Sequence, residues 1–359
     1  MVYCSTGSVY NISEITILEA TMEYREERLD AKALGCREEY SAGFEKVIVK
    51  REAKAKTERD KLAGKLFSEP EKMRRQLKDM LGWPLNGEVC FECKTESEKI
   101  FDAAEYEIFR MRFEILEGLK LTGLLFKIKT EEKRPLVITQ HGGGGTPELA
   151  SGIYGAPNNY NDMVERTLKY GVHCFAPQLY LWRSDTYGAE HDRYAIDARL
   201  KRVGSSLAAV EIYGLQRIID YFEKQSFVKN FGMIGLSYGG YFTMFTAACD
   251  TRIKSAISCS QFSDRSVYAW TDWCWKNSAF TLSDAEIACL VYPRKLCIQV
   301  GVHDELFGIE HAKNEYARLL GICKPVGTDW LEFMPFDGKH EFCKDDEPIK
   351  KLTDLLKAE

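Results

Sequence analysis

The feature that most constrains this chain is a serine held between glycines where two opposed sequence rhythms meet. Residues 231–236 (Phe-Gly-Met-Ile-Gly-Leu) read as a short buried strand, and the stretch after Ser237 (Tyr-Gly-Gly-Tyr-Phe-Thr-Met-Phe-Thr-Ala-Ala) has the length of a helix. Gly235-Leu-Ser237-Tyr-Gly239 therefore matches the pattern G-x-S-x-G in the strand, turn and helix setting that the pattern needs. A bend this sharp brings backbone segments together with no room for side chains, which is the reason for the two glycines. The helix that follows aims its first amides at the serine, where negative charge would develop. Ser237 is the candidate nucleophile.

A hydroxyl is a weak nucleophile at neutral pH and needs an imidazole base that a carboxylate orients. Behind such a bend the chain order is serine, acid, histidine, and three histidines follow Ser237. His303 directly precedes the candidate acid, and His311 falls in a stretch of helical spacing. His340 lies in a loop, Phe336-Asp-Gly-Lys-His-Glu-Phe, between the last apolar run and the last helical stretch, and is the expected base. Asp304, just past the apolar run 296–300, is the expected acid, with Glu305 and Asp264 as alternatives.

An oxyanion needs two amide donors. One is expected from Tyr238, and the other from the loop His141-Gly-Gly-Gly-Gly-Thr, with Gly143 ahead of Gly142. His141 is expected to brace that loop. The loop lacks the Lys-Ser/Thr ending and the GxGxxG spacing of a phosphate cradle. An aromatic-rich insertion around 262–293 holds Trp270, Trp273 and Trp275, which are candidate pocket residues and equally readable as the core of a small cap. Arg265 and Asp272 in the same insertion read as internal ion-pair partners before substrate-orienting ones.

Elsewhere the rhythm divides the chain. Residues 15–81 are rich in Glu, Lys, Arg and Ala at helical spacing, and Ser68-Glu-Pro-Glu71 reads as a capping box. A helical extension over 1–86 is expected to pack across the main domain, with dimerisation or closure over the site as the sharper alternative. From 89 to 129 the period is two, as in antiparallel edge strands. Apolar runs at 136–139, 172–176, 231–234, 254–258, 296–300 and 330–334 then alternate with helical stretches at 161–170, 205–224, 238–248, 310–320 and 348–358. That alternation predicts an α/β catalytic domain over 87–359 with a doubly wound, mostly parallel sheet.

Composition narrows the partners. Lys and Arg number 49 against 54 Asp and Glu, so the net charge of -5 provides no field for nucleic acid, and no run is long enough to span a membrane. A small-molecule ester fits better. The 12 cysteines sit in apolar stretches, as reduced thiols do, and the start shows no apolar leader, so a cytoplasmic location is expected. Cys90-Phe-Glu-Cys93 is read as part of a strand, and neither a metal nor a cofactor is called for.

Several stretches together carry a family likeness. They are His141-Gly-Gly-Gly-Gly, Gly-Leu-Ser237-Tyr-Gly-Gly-Tyr, Ala247-Ala-Cys-Asp-Thr-Arg-Ile-Lys-Ser-Ala, Tyr292-Pro-Arg-Lys-Leu and Gly301-Val-His-Asp304-Glu-Leu-Phe, with Leu81-Gly-Trp-Pro-Leu upstream. From about residue 71 to 347 the chain resembles the acetyl xylan esterase-like branch of the dienelactone hydrolase and prolyl oligopeptidase-related α/β hydrolases. The resemblance implies the α/β-hydrolase fold, a triad on Ser237, Asp304 and His340, and a carboxylesterase acting on acetylated or otherwise acylated carbohydrate. The missing leader turns the expectation from a polymer toward a smaller, imported or intracellular ester. Two other readings stay open: a serine peptidase, against which no propeller precedes the domain, and a hydrolase fold kept as a binding protein.

Overall fold

The computed structural model describes residues 31–89, 91–153, 155, 158–180, 192–268 and 270–359. The chain forms two compact units, one ending at Thr57 and the other spanning Glu58–Glu359. The described part of the first is helical, within Ala31–Ala63, and carries Tyr40 edge-on to Phe44 at 4.9 Å.

The larger unit is built on one nine-stranded sheet. Its strands are β1 (Thr95–Asp102), β2 (Tyr106–Leu116), β3 (Leu119–Ile128), β4 (Arg134–Gln140), β5 (His173–Pro177), β6 (Val228–Leu236), β7 (Ile253–Cys259), β8 (Lys295–Gly301) and β9 (Leu331–Phe336). The order across the sheet is β1-β2-β3-β5-β4-β6-β7-β8-β9. β1 to β3 pair antiparallel, β3 pairs antiparallel with β5, and every other pairing is parallel. This is the mixed α/β architecture that the change of rhythm near residue 130 predicts.

Period-two alternation divides the sheet between two cores. Leu136, Ile138, Phe175, Met233, Ala256 and Ile298 face one side, where the helices Leu207–Glu223, Tyr238–Cys249 and Ile309–Cys323 pack. Val137, Cys174, Ile234, Ile257 and Cys297 face the other, covered by Met163–Leu168 and Glu347–Ala358. Central parallel strands buried on both faces are apolar throughout, which is why they stand out in the sequence as uninterrupted runs.

Two local expectations are corrected. Ser68 caps nothing: its hydroxyl donates back to the Gly64 carbonyl (3.1 Å) and closes the short helix Lys65–Ser68, so the next helix, Pro70–Leu81, starts behind Glu69 without a side-chain cap. Proline in the first turn is enough to set that start, because its missing N–H would be unpaired there in any case. The strand expected around Cys90 and Cys93 begins later, at Thr95. Cys90 lies outside the described residues, and the Phe91 carbonyl accepts from Arg217 (3.0 Å) in place of a neighbouring strand.

The helix Pro70–Leu81, expected in the extension, packs in the core of the larger unit. Met73 and Leu77 are fully buried, and the Arg74 guanidinium donates to the carbonyls of Ala248 (3.1 Å) and Leu290 (2.9 Å). Leu77→Ala is expected to lower stability by about 2–5 kcal/mol, the range for emptying an enclosed leucine site. A chemical-denaturation midpoint equal to that of the parent protein would show that the helix is not part of the cooperative core.

His173 opens β5 with no exposed surface. Its Nδ1 accepts from the Ile128 amide (3.0 Å), its ring stands edge-on to Phe227, and burial pushes the imidazole down to about 4. Below an ordinary histidine pKa of about 6.5 the unfolded chain takes up a proton that the folded chain refuses. This group's stabilising contribution is therefore complete above that pH and lost as pH falls toward 4. Between about pH 6.5 and 4.5, stability of the parent is expected to drop more steeply than that of His173→Gln, by up to about 1.4 kcal/mol per pH unit. Parallel stability-against-pH curves from urea titrations would contradict this.

Candidate active site

The loops singled out in the sequence leave the carboxyl edge of the parallel strands, where open α/β sheets gather their sites. β6 ends at Leu236, and Ser237 turns the chain with φ +60° and ψ -122°, a conformation costly for any residue but glycine. Its neighbours hold it there. The Ser237 amide donates to the Cys259 carbonyl at the end of β7 (2.9 Å), and the Ser237 carbonyl accepts from Tyr241 (2.9 Å). Gly239 is mandatory for that packing, since a Cβ on it would sit 2.0 Å from the Gln140 carbonyl oxygen.

Asp304 and His340 meet. His340 Nδ1 lies 2.8 Å from Asp304 Oδ2, while Asp304 Oδ1 accepts from the amides of Leu306 (2.9 Å) and Phe307 (3.0 Å). The carboxylate is thus buried and fully engaged, and with its Nδ1 proton given to it the imidazole keeps the Nε2 lone pair free to act as a base. The other candidate acids stand apart: Asp264 caps its own turn by accepting from Ser266, and Glu305 is exposed. His303 is exposed against Asp337 (3.0 Å), and His311 lies on an exposed helix face.

The loop that carries His340 is tied down on several sides. The Asn159 side chain donates to the His340 carbonyl (3.3 Å), and Phe342 donates to the Asn159 carbonyl (2.7 Å). Arg166 reaches the Cys343 carbonyl (2.9 Å) and Asp346 (2.6 Å). The Cys259 thiol donates to the Glu341 carbonyl (3.3 Å). Cys259 therefore links the bend at Ser237, through its carbonyl, to the His340 loop, through its sulfur.

The glycine loop has a built-in distinction between its two candidate donors. The Gly142 amide is already given to the Tyr160 hydroxyl (3.0 Å), whereas among the described residues the Gly143 amide has no partner. A Cβ on Gly142 would meet Ser237 Cβ at 3.2 Å, so this backbone lies directly beside the serine. His141 is fully buried and braces the loop: Nδ1 donates to the Gly142 carbonyl (2.7 Å), and Nε2 accepts from Leu179 (3.0 Å). Burial pushes its pKa down to about 4, so it stays neutral as both bonds require.

The aromatic insertion is divided. Phe307 stacks on the His340 ring (5.7 Å), with Trp270 and Trp273 packed against Phe307 (5.6 Å each) and Trp273 also against Tyr238 (4.9 Å). Trp275 lies behind them with Tyr241 and Phe245. Arg265 and Asp272 both form buried ion pairs, though with other partners: Arg265 with Asp284 (2.7 Å) and Asp272 with Arg193 (3.1 Å). Sequence reasoning did not single out Arg193, Glu211, Tyr160 or Phe307: the first three act through partners elsewhere in the chain and stand in no recurrent spacing, and Phe307, though it ends the stretch Gly301-Val-His-Asp304-Glu-Leu-Phe, gives no sign there of stacking on His340.

Residues 149–262, which include the bend at Ser237 and stop short of Asp304, match the dienelactone hydrolase family. The chain is 30% identical over 199 residues to YtaP of Bacillus subtilis (strain 168), a candidate hydrolase; the match covers 50% of this chain and 63% of that protein. The chain thus spans less than two thirds of the curated relative's length. Among solved structures it is similar to acetyl xylan esterase 1 from Thermoanaerobacterium sp. JW/SL YS485, with a TM-score of 0.56 at 16% identity over 80% of this chain and 93% of that one. It is also similar to the glucuronoyl esterase from Solibacter usitatus, with a TM-score of 0.59 at 14% identity over 82% and 92%. The stretch around the serine thus matches the dienelactone hydrolase family, and the larger unit has the α/β-hydrolase fold seen in these esterases.

Proposed function

We propose that the protein is a serine carboxylesterase that cleaves a short acyl ester, acetyl foremost, through an acyl-enzyme on Ser237. The observation that carries this reading is the 2.8 Å bond between His340 and Asp304, on a loop hydrogen-bonded through Cys259 to the strained bend that holds Ser237. In this reading His340 Nε2 takes the hydroxyl proton as the Ser237 oxygen attacks the ester carbonyl. Asp304 keeps the imidazole in the tautomer that can do so and favours the imidazolium that forms. The tetrahedral oxyanion is met by the amides of Tyr238, the first residue of its helix, and of Gly143.

Collapse expels the alcohol, which recovers its proton from His340, and the acyl group remains on Ser237. Water, deprotonated by the same imidazole, then releases the carboxylic acid. The short acyl preference, with a carbohydrate as the alcohol part, is supported by the likeness to the acetyl xylan esterase-like branch and by the aromatic residues Trp270, Trp273 and Phe307 beside His340.

Purified protein is expected to hydrolyse p-nitrophenyl acetate faster than longer-chain esters, and Ser237→Ala and His340→Ala are each expected to lower kcat by about 10³-fold or more. Full activity in Ser237→Ala would remove the acyl-enzyme. Faster turnover of aminoacyl naphthylamides than of acetyl esters would replace the ester by a peptide bond.

A further inference from the structure

Beside the candidate site lies a buried polar cluster to which the chemistry above gives no task. The Tyr238 hydroxyl donates to Asp272 Oδ2, and the same oxygen accepts from Arg193 Nε (3.1 Å). The Arg193 guanidinium lies 4.9 Å from the centre of the Tyr238 ring, donates to Glu211 Oε2 (2.9 Å), and donates to the Tyr180 carbonyl. Glu211 Oε1 accepts from the Tyr180 amide (2.6 Å). Arg193, Asp272, Glu211 and Tyr238 are 3%, 2%, 6% and 6% exposed, so none of these charges is there for solubility.

Burying two carboxylates and a guanidinium is costly, and an apolar set of similar volume would stabilise the fold at least as well. What such a cluster supplies is a fixed geometry. It draws on four separate parts of the chain: the start of helix Arg193–Arg202, the helix Leu207–Glu223, the turn Thr271–Trp273 of the aromatic insertion, and the segment after β5. Two of them, through Asp272 and Arg193, meet the phenol of the residue directly after Ser237, and the other two, through Glu211 and Tyr180, hold Arg193. The side chain of Tyr238 is thereby held at its far end by hydrogen bonding, on one face by Arg193 and on another by Trp273 (4.9 Å).

We infer that Asp272 and Arg193 are positioning residues for the Tyr238 amide, clamping the phenol so that the N–H offered to the oxyanion does not shift between ground state and transition state. The inference rests on the esterase reading of Ser237. An amide donor is worth most when it is already aimed at the place where charge appears, and a displacement below an ångström is enough to weaken it. Asp272 acts on Tyr238 directly. Arg193 acts through Asp272 and by lying over the ring, while Glu211 secures Arg193.

The test compares variants by steady-state ester hydrolysis and by affinity for a boronic acid that forms a tetrahedral adduct on Ser237. Tyr238→Phe removes one hydroxyl and no backbone donor, and thermal melting establishes that it folds. Its kcat is expected to fall about 10-fold with KM within twofold, and boronate affinity is expected to fall by the same factor. Asp272→Ala is expected to lose more, Asp272→Asn is expected to recover part of that loss, and the double variant Asp272→Ala/Tyr238→Phe is expected to match Asp272→Ala alone within twofold. Wild-type kcat and boronate affinity in Tyr238→Phe would overturn the clamp, as would losses that multiply in the double variant. Either result, with Ser237→Ala still inactive, would leave the esterase reading standing.

Discussion

The structure depends on the backbone of one residue. Ser237 occupies a region of φ and ψ that costs on the order of 1–3 kcal/mol for a side-chain-bearing residue, and such a conformation persists only where its surroundings over-determine it. Here they do so from three directions: the Cys259 carbonyl takes the Ser237 amide, Tyr241 takes the Ser237 carbonyl, and Gly239 lets the helix start press on the Gln140 carbonyl. Three neighbouring parallel strands, β4, β6 and β7, are thus committed to a single turn. The sheet order places them side by side at its centre, where register is least able to slip.

From that turn the order spreads through groups that must stay uncharged or fully paired. His141 can brace the glycine loop only as a neutral imidazole, and its burial keeps it so. Asp304 accepts from two amides and from His340, so its charge is compensated without help from water. Burial raises Glu211 despite its bonds to Arg193, which is the tension expected where a carboxylate is taken out of solvent. The polar residues around the candidate site therefore form a shell of definite hydrogen-bond directions, not a solvated rim.

Much of this was legible in the sequence where the signal is local. The bend at Ser237 needs small residues at fixed offsets, and buried parallel strands must be apolar on both faces, so both leave marks that a reader can find. The meeting of His340 with Asp304 could be anticipated because both follow late strands and leave the same sheet edge. What stayed hidden is of another kind. Whether Asp272 would pair with Arg265, seven residues away, or with Arg193, far back in the chain, depends on how the insertion folds over the helices, and no spacing encodes that. The same holds for Tyr160, whose hydroxyl occupies the Gly142 amide. Ser68 failed as a cap because a competing local bond to Gly64 was open to it, a choice that side-chain chemistry alone leaves undecided.

The order in which the strands lie along the chain has a consequence of its own. β6 and its bend precede β8 and β9, and these last two strands bring Asp304 and His340. During synthesis from the N-terminus, the segment that bears Ser237 is therefore made before those that bear Asp304 and His340, and on the proposed reading a partly made chain holds a hydroxyl without its base. On the proposed reading, reactivity toward esters is withheld until the last strand and helix of the sheet, β9 and Glu347–Ala358, have been made.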